Sequence, residues 1–193
     1  MKGRLGMVVS LALVATVALG QLGEPRKKTD AAQAFERLKN LVGRWEATNE
    51  KGQKVGQTYE LISGGTALLE RFVDPSSEHT NMITVYHLDG EQLMLTHYCA
   101  ANNQPRMRAE RYDLESWILV FEFLDATNLA NPSAGHMRRA VYRFLDKSRF
   151  TTEWTFYKEG KPAFTEVLHF ARPTSETAPA SQSSIQSQKE KNR

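Results

Sequence analysis

From Trp45 to Arg172, apolar and polar residues alternate with a period of two, and turn-forming residues interrupt the alternation about every ten residues. This pattern is typical of short antiparallel strands that form a sandwich or a barrel. We predict an all-β fold, a single antiparallel up-and-down β-barrel of about ten strands. The predicted strands are 44–49, 54–62, 66–73, 80–88, 91–99, 106–113, 117–125, 136–145, 149–157 and 162–171.

The N-terminal residues have the pattern of an export signal. Lys2 and Arg4 precede an apolar stretch at 7–19, and Ala18-Leu19-Gly20 places small residues where a signal peptidase cleaves. The stretch is shorter than the roughly 20 residues that span a membrane. We predict that residues 1–20 are removed and that the mature protein, beginning at Gln21, is periplasmic or secreted with no stable membrane insertion.

The remaining segments flank the predicted domain at 30–172. Residues 21–29 are polar and form a predicted linker, and a helix is predicted over 30–42, at the closed end of the barrel. Asp30 is its N-cap and Gly43 its stop. Residues 173–193 contain few side chains that a core would bury, so a disordered tail is predicted.

Charge and cysteine content exclude some classes of partner. Loss of Lys2 and Arg4 lowers the formal net charge from +3 to +1, so we expect no nucleic-acid partner. Cys99 is the single cysteine and has no partner for an internal disulfide. The five histidines lack the paired spacing of metal ligands, so no metal site is predicted. The sequence indicates no oligomeric state.

Loop lengths predict a barrel with one open end. Short connections, including the turn Asp89-Gly90, alternate with longer ones at 74–79, 100–105 and 126–135, which all fall at the same end. A type I′ turn at Asp89-Gly90 pairs Tyr86 with Leu93 and Met82 with His97. The face carrying Met82, His97 and Cys99 is the drier one, and we expect it to face inward.

The run Leu41-Val42-Gly43-Arg44-Trp45, a helix that leads into Gly-x-Trp, resembles the entry motif of the lipocalins and their calycin relatives. The resemblance implies that Trp45 lies at the closed end beneath a basic residue of the last strand, here Arg172. It is closest to uncharacterised bacterial lipocalin-like domains.

Haem-binding barrels of the nitrobindin type have a similar shape but differ in sequence. Their Gly-rich run is replaced here by 46–50, and 161–164 lacks the histidine that would hold haem iron. No cofactor is therefore predicted, and haem is a minor alternative.

Residues 96–107 contain the densest group of reactive and hydrogen-bonding side chains. One interpretation is packing and turn chemistry alone. A second is a ligand site in which polar groups orient a small, partly apolar molecule. A third makes Cys99 a nucleophile with His97 as its base. The candidate ligand-binding residues are Met82, His97, Cys99, Asn103, Gln104 and Arg106.

Charged residues also occur inside the predicted strands. We expect one or two of them to point inward and to need partners. They are Glu70, Arg71, Glu122, Arg139, Arg143 and Glu153.

These observations favour an exported small-molecule-binding barrel. The alternatives are an enzyme that uses His97, with or without Cys99, in the same pocket, and a structural or interaction module whose barrel is filled by side chains.

Overall fold

Ten antiparallel strands close into a barrel in which each strand pairs with its neighbours along the chain and β1 meets β10. The predicted up-and-down barrel is therefore confirmed. The computed structural model describes residues 30–75 and 81–173. The elements are α1 Asp30–Lys39, β1 Gly43–Thr48, β2 Lys54–Ile62, β3 Ala67–Val73, β4 Met82–Asp89, β5 Gln92–Tyr98, β6 Gln104–Asp113, β7 Ile118–Thr127, β8 His136–Phe144, β9 Arg149–Lys158 and β10 Lys161–Ala171.

Several predictions made from the ends of the chain fall outside the described residues. The predicted signal peptide at 1–20 and the linker at 21–29 lie there, as does the predicted tail beyond Pro173. They remain predictions. Within the described part of the chain, no helix is long and apolar enough to cross a membrane.

The helix α1 packs across the closed end of the barrel, where Arg37 lies over the rings of Trp117 and Phe144. It ends at Lys39, three residues earlier than predicted. The difference is one of hydrogen bonding, because the amides of residues 40–42 bond to carbonyls three residues back, which tightens the last turn.

Gly43 is required by two features of the closed end. Its φ of +109° is unfavourable for other residues, and a Cβ atom there would lie 2.7 Å from Nη1 of Arg172. The guanidinium of Arg172 lies 3.9 Å from the centre of the Trp45 ring, as the calycin resemblance implies. The Trp45 Nε1 donates a hydrogen bond to the Leu41 carbonyl at 2.6 Å.

Aromatic side chains fill the closed half of the barrel. Phe150 is at their centre, with its ring 4.8 Å from that of Trp45 and 5.0 Å from that of Phe170. Tyr59 and Tyr142 also contact it. This half of the predicted cup is therefore filled by side chains.

The β4–β5 hairpin differs in register from the prediction. Asp89 pairs with Gln92 and Tyr86 with Leu95, so the loop is Gly90-Glu91 and the predicted pairing is wrong by two residues. Gly90 supplies its positive φ as the first loop residue rather than the second. A shift of two preserves the faces, and the predicted inward face is indeed the buried one.

Among the described connections at the open end, the longest is the β7–β8 loop at 128–135. Hydrogen bonds hold the β7–β8 loop on both sides. Asn103 Nδ2 donates to the Gly135 carbonyl at 2.8 Å, and the Glu159 amide donates to the Ser133 carbonyl at 2.8 Å. The β7–β8 loop is thus joined to both of its neighbours along the rim.

The contact that closes the barrel is short. β1 and β10 share one registered residue pair, Glu46 with Ala171, whereas β9 and β10 are paired along nearly their whole length. On its β1 side, the rest of β10 has no strand partner among the described residues.

Candidate functional site

His97 projects into the barrel from the open end of β5 and is only 4% exposed. Its Nδ1 lies 3.0 Å from Oγ1 of Thr84, the residue opposite it on β4. Its ring is 4.7 Å from the ring of Trp154. Burial lowers the pKa of His97 to about 4, so the imidazole is neutral at pH 7. Nε2 is buried and has no hydrogen-bond partner among the described residues.

Met82 and Cys99 lie near His97 at the open end, and both are partly buried against the core. The Cys99 amide donates to the Asn103 carbonyl at 3.0 Å, which closes the β5–β6 turn. Burial raises the pKa of the Cys99 thiol. The thiolate is the nucleophilic form, so this environment disfavours a catalytic cysteine.

We expect slow alkylation of Cys99 in the folded protein. Because the thiol is protonated and partly covered, iodoacetamide at pH 7.5 should label it at least about tenfold more slowly than the urea-unfolded chain. Mass spectrometry of quenched time points measures both rates on the same single cysteine. Equal rates would contradict the assignment of Cys99 as an unreactive packing residue.

Asn103 joins the β5–β6 turn to the β7–β8 loop and is 3% exposed. Its Nδ2 contacts Gly135, while its Oδ1 is buried with no hydrogen-bond partner among the described residues. Asn103 lines a cavity of about 470 Å³ between the two loops. The other lining residues are Ala101, Asn102, Ala126, Asn128, Leu129, Ala130, Ala134 and Gly135.

Gln104 and Arg106 do not face this interior, and their assignment to a ligand site remains a prediction. Arg106 is exposed and its Nε donates to Asp125 Oδ1 at 2.6 Å. Gln104 Oε1 accepts a hydrogen bond from Thr127 Oγ1 at 2.8 Å. The strand β6 begins at Gln104, and its alternation places Pro105 and the residues two and four further on inside.

His136 is a buried residue at the start of β8 that the sequence reasoning did not select. Its Nδ1 lies 2.8 Å from the Ala134 carbonyl, which can only accept, so Nδ1 carries a proton. In the neutral ring Nε2 is then an acceptor, and it has no partner among the described residues. Only the contact between the neighbouring Gly135 and Asn103, which the sequence does not reveal, would have pointed to His136.

Among the buried residues of the described chain, Glu70 is the single Asp, Glu, Lys or Arg. Its carboxylate accepts hydrogen bonds from Gln57 Nε2 at 3.0 Å, the Tyr86 hydroxyl at 2.5 Å and the Tyr142 hydroxyl at 3.2 Å. Burial raises the pKa of Glu70 to about 7, and the tyrosine hydrogen bonds oppose a further rise. Glu70 therefore titrates near neutral pH.

The expectation that one or two strand charges point inward is met by Glu70. The alternation of Leu68, Glu70 and Phe72 on one face of β3 is the signal that could have identified it. Arg139 pairs with Glu122, and Arg143 with Glu153, in partly exposed ion pairs.

The described interior of the open half therefore holds hydrogen-bonding groups. Within residues 30–75 and 81–173, no group of three or more His, Cys, Asp or Glu side chains is placed to hold a metal ion. Burial favours the protonated Cys99 thiol and the neutral His97 ring, so the two do not form a thiolate–imidazolium pair.

No protein-family model matches the chain, and no curated protein matches it. Among solved structures, the chain is similar to a DUF3598 family protein of unknown function from Nostoc punctiforme PCC 73102, at 10% sequence identity and a TM-score of 0.41. The match covers 70% of this chain and 49% of that one, so the chain spans about half of its length. The fold assignment rests on the strand pairing described above.

Proposed function

We propose that this protein is a calycin-like carrier or sensor barrel that binds a small, partly apolar molecule in its open half. Export to the periplasm or the extracellular space is part of the proposal and rests on the sequence of residues 1–20. The observation that carries the proposal is the distribution of buried polar atoms without partners.

Three of the five such atoms in the described chain lie at the open end, namely His97 Nε2, Asn103 Oδ1 and His136 Nε2. The other two, Arg37 Nε and His87 Nδ1, lie toward the closed end. Buried polar groups in native proteins are nearly always hydrogen-bonded, because an unpaired one costs about 1–3 kcal/mol. A bound molecule with complementary groups would remove that cost. By contrast, the polar cluster around Glu70 deeper in the barrel supplies its own partners.

The surroundings of these atoms suit a ligand with an apolar body. Trp154 and Phe156 lie on the inner face of β9, and Met82 lies on that of β4. Asn103 also lines the separate rim cavity of about 470 Å³, whose volume is within the size range of small-molecule sites. A few polar groups among apolar walls are the usual composition of such sites.

Ligand-induced stabilisation tests this proposal. A library of small aromatic and aliphatic compounds is screened by thermal unfolding of the mature chain. A compound at 100 times its Kd stabilises the folded state by about 2.7 kcal/mol, which corresponds to several degrees in Tm. Native mass spectrometry of protein purified from its own host provides an independent search for a bound molecule.

Tryptophan fluorescence then locates the bound compound. Trp154 contacts His97 in the interior, whereas Trp117 lies at the closed end beside Arg37. We expect the ligand-induced change in emission to be lost in Trp154→Phe and kept in the matched control Trp117→Phe. If no compound raises Tm and no molecule is retained, the filled-barrel structural module is the better description.

A further inference from the structure

The interior of the barrel has an unbalanced set of ionisable groups. No lysine or arginine is among the buried residues of the described chain. Two carboxyl groups, those of Glu70 and Glu166, face inward, and Glu70 is held by its tyrosine and glutamine partners. Glu166 is therefore the group whose charge a ligand would meet.

Glu166 lies on the inner face of β10, directly opposite Trp154 in the β9–β10 pairing. It is partly buried, and no described side chain forms an ion pair with it. Burial raises the pKa of Glu166, and the charges of Asp74 and Glu50 raise it further. Three carboxylates thus lie near one another on this side of the rim.

No basic residue of the described rim balances Glu166. Lys51, Lys54, Lys158 and Lys161 are exposed, and none of them is among the causes that act on the pKa of Glu166. Among the described residues, a negatively charged ligand would find no cationic partner beside Glu166 and would be repelled by its carboxylate. A positively charged ligand would be attracted.

A second, independent observation points to a ligand at the same place. His97 is 4% exposed, its ring contacts Trp154, and Trp154 lies beside Glu166. Because Nδ1 is turned toward Thr84 on the next strand, Nε2 is at the far end of the ring, inside the barrel, without a partner. A ligand with a hydrogen-bonding group next to Trp154 would therefore give Nε2 a partner.

The aromatic wall itself continues to the surface. Phe156 and Phe164 stack with their centroids 5.0 Å apart, and Phe164 is 53% exposed. Aromatic faces attract organic cations through their quadrupoles. A path of ring faces thus leads from the rim to Trp154.

We propose, on the basis of the binding function above, that the ligand is an organic cation: a protonated amine attached to a flat apolar body. The ammonium pairs with Glu166, the body lies against Trp154 and Phe156, and His97 Nε2 hydrogen-bonds a polar atom of the ligand. An organic cation fits better than a metal ion because the described residues provide no cluster of metal ligands.

Matched ligands of three charges test this assignment. Tryptamine, 3-ethylindole and indole-3-propionate share one flat body and are cationic, neutral and anionic at pH 7.5. Phenyl and naphthyl series of the same design vary the body. Calorimetric titration of the mature chain should give the tightest binding for the cation, about tenfold tighter than the neutral compound, and the weakest for the anion.

Variants locate the charge preference. Glu166→Gln should weaken cation binding about tenfold and leave the neutral compound unchanged. The control Glu122→Gln removes a carboxylate that pairs with Arg139 on the other face of the sheet and should change neither. With the wild-type protein, raising NaCl from 50 to 500 mM should weaken only the cation, which gives a readout that does not depend on a variant folding.

The outcomes separate the two proposals. If a neutral or anionic compound binds as tightly as its cationic partner, or if Glu166→Gln leaves the cation preference unchanged, the charge assignment is overturned and the binding function stands. If no compound of any charge or body binds, and the library screen is also negative, both proposals are overturned.

Discussion

The free energy of unfolding of the Glu70→Gln variant should rise by about 3 kcal/mol as the pH increases from 4 to 7. The cause is His97, whose pKa is lowered from its ordinary 6.5 to about 4 by burial. Between these values the unfolded chain binds a proton that the folded protein does not, so stability increases with pH. Each pKa unit corresponds to about 1.4 kcal/mol.

In the wild-type protein, Glu70 opposes this effect. Its pKa is raised from 4.5 to about 7 in the folded state, so the folded protein binds the extra proton and stability falls as the pH rises through that range. The two effects nearly cancel, and we expect a nearly flat wild-type profile. The free energy of unfolding of the His97→Gln variant should then fall by about 3 kcal/mol as the pH rises from 4.5 to 7.5.

Urea unfolding at closely spaced pH values measures all of these slopes. The free energy of unfolding of the double variant should again be nearly independent of pH. The four proteins are therefore compared by their pH dependence and not by their absolute stability. A wild-type profile as steep as either single variant would show that the two groups do not titrate as their burial implies.

Replacement of Phe150 by alanine should lower the free energy of unfolding by about 3–5 kcal/mol. The ring is fully buried and contacts Trp45, Tyr59 and Phe170, so its removal leaves a cavity that the barrel cannot collapse around. The urea midpoint at an unchanged m-value is the measurement.

Phe164→Ala is the matched control for that experiment. It removes the same side chain from a position that is 53% exposed on the same barrel, and should cost less than about 1 kcal/mol. Equal losses in the two variants would mean that the closed half is not the solid core described here.

Much of the fold was predictable because each strand carries its own alternation and each turn its own residues. The strands, their order and the buried face of β4 and β5 follow from those local rules. The hairpin register was not predictable in the same way, because Gly90 suits either loop position and a shift of two residues leaves both faces unchanged.

The candidate site was predicted only in part. His97, Cys99 and Asn103 lie at the open end, but Arg106 faces outward because the alternation of β6 turns its neighbours Pro105 and Met107 inward. The acid–tyrosine cluster brings together strands far apart in the chain. A hydrogen bond between Glu70 and Tyr142 depends on closure of the barrel and has no local signal.

Because a single residue pair joins β1 to β10, local opening of the barrel should begin between these two strands. Strand separation costs least where the fewest backbone hydrogen bonds must break, so the lowest-energy excitation of this wall is a sideways parting at that junction. Such a slit would run beside Glu166 and Trp154. A ligand too large to pass the rim could then enter from the side, without disturbing the aromatic side chains around Phe150.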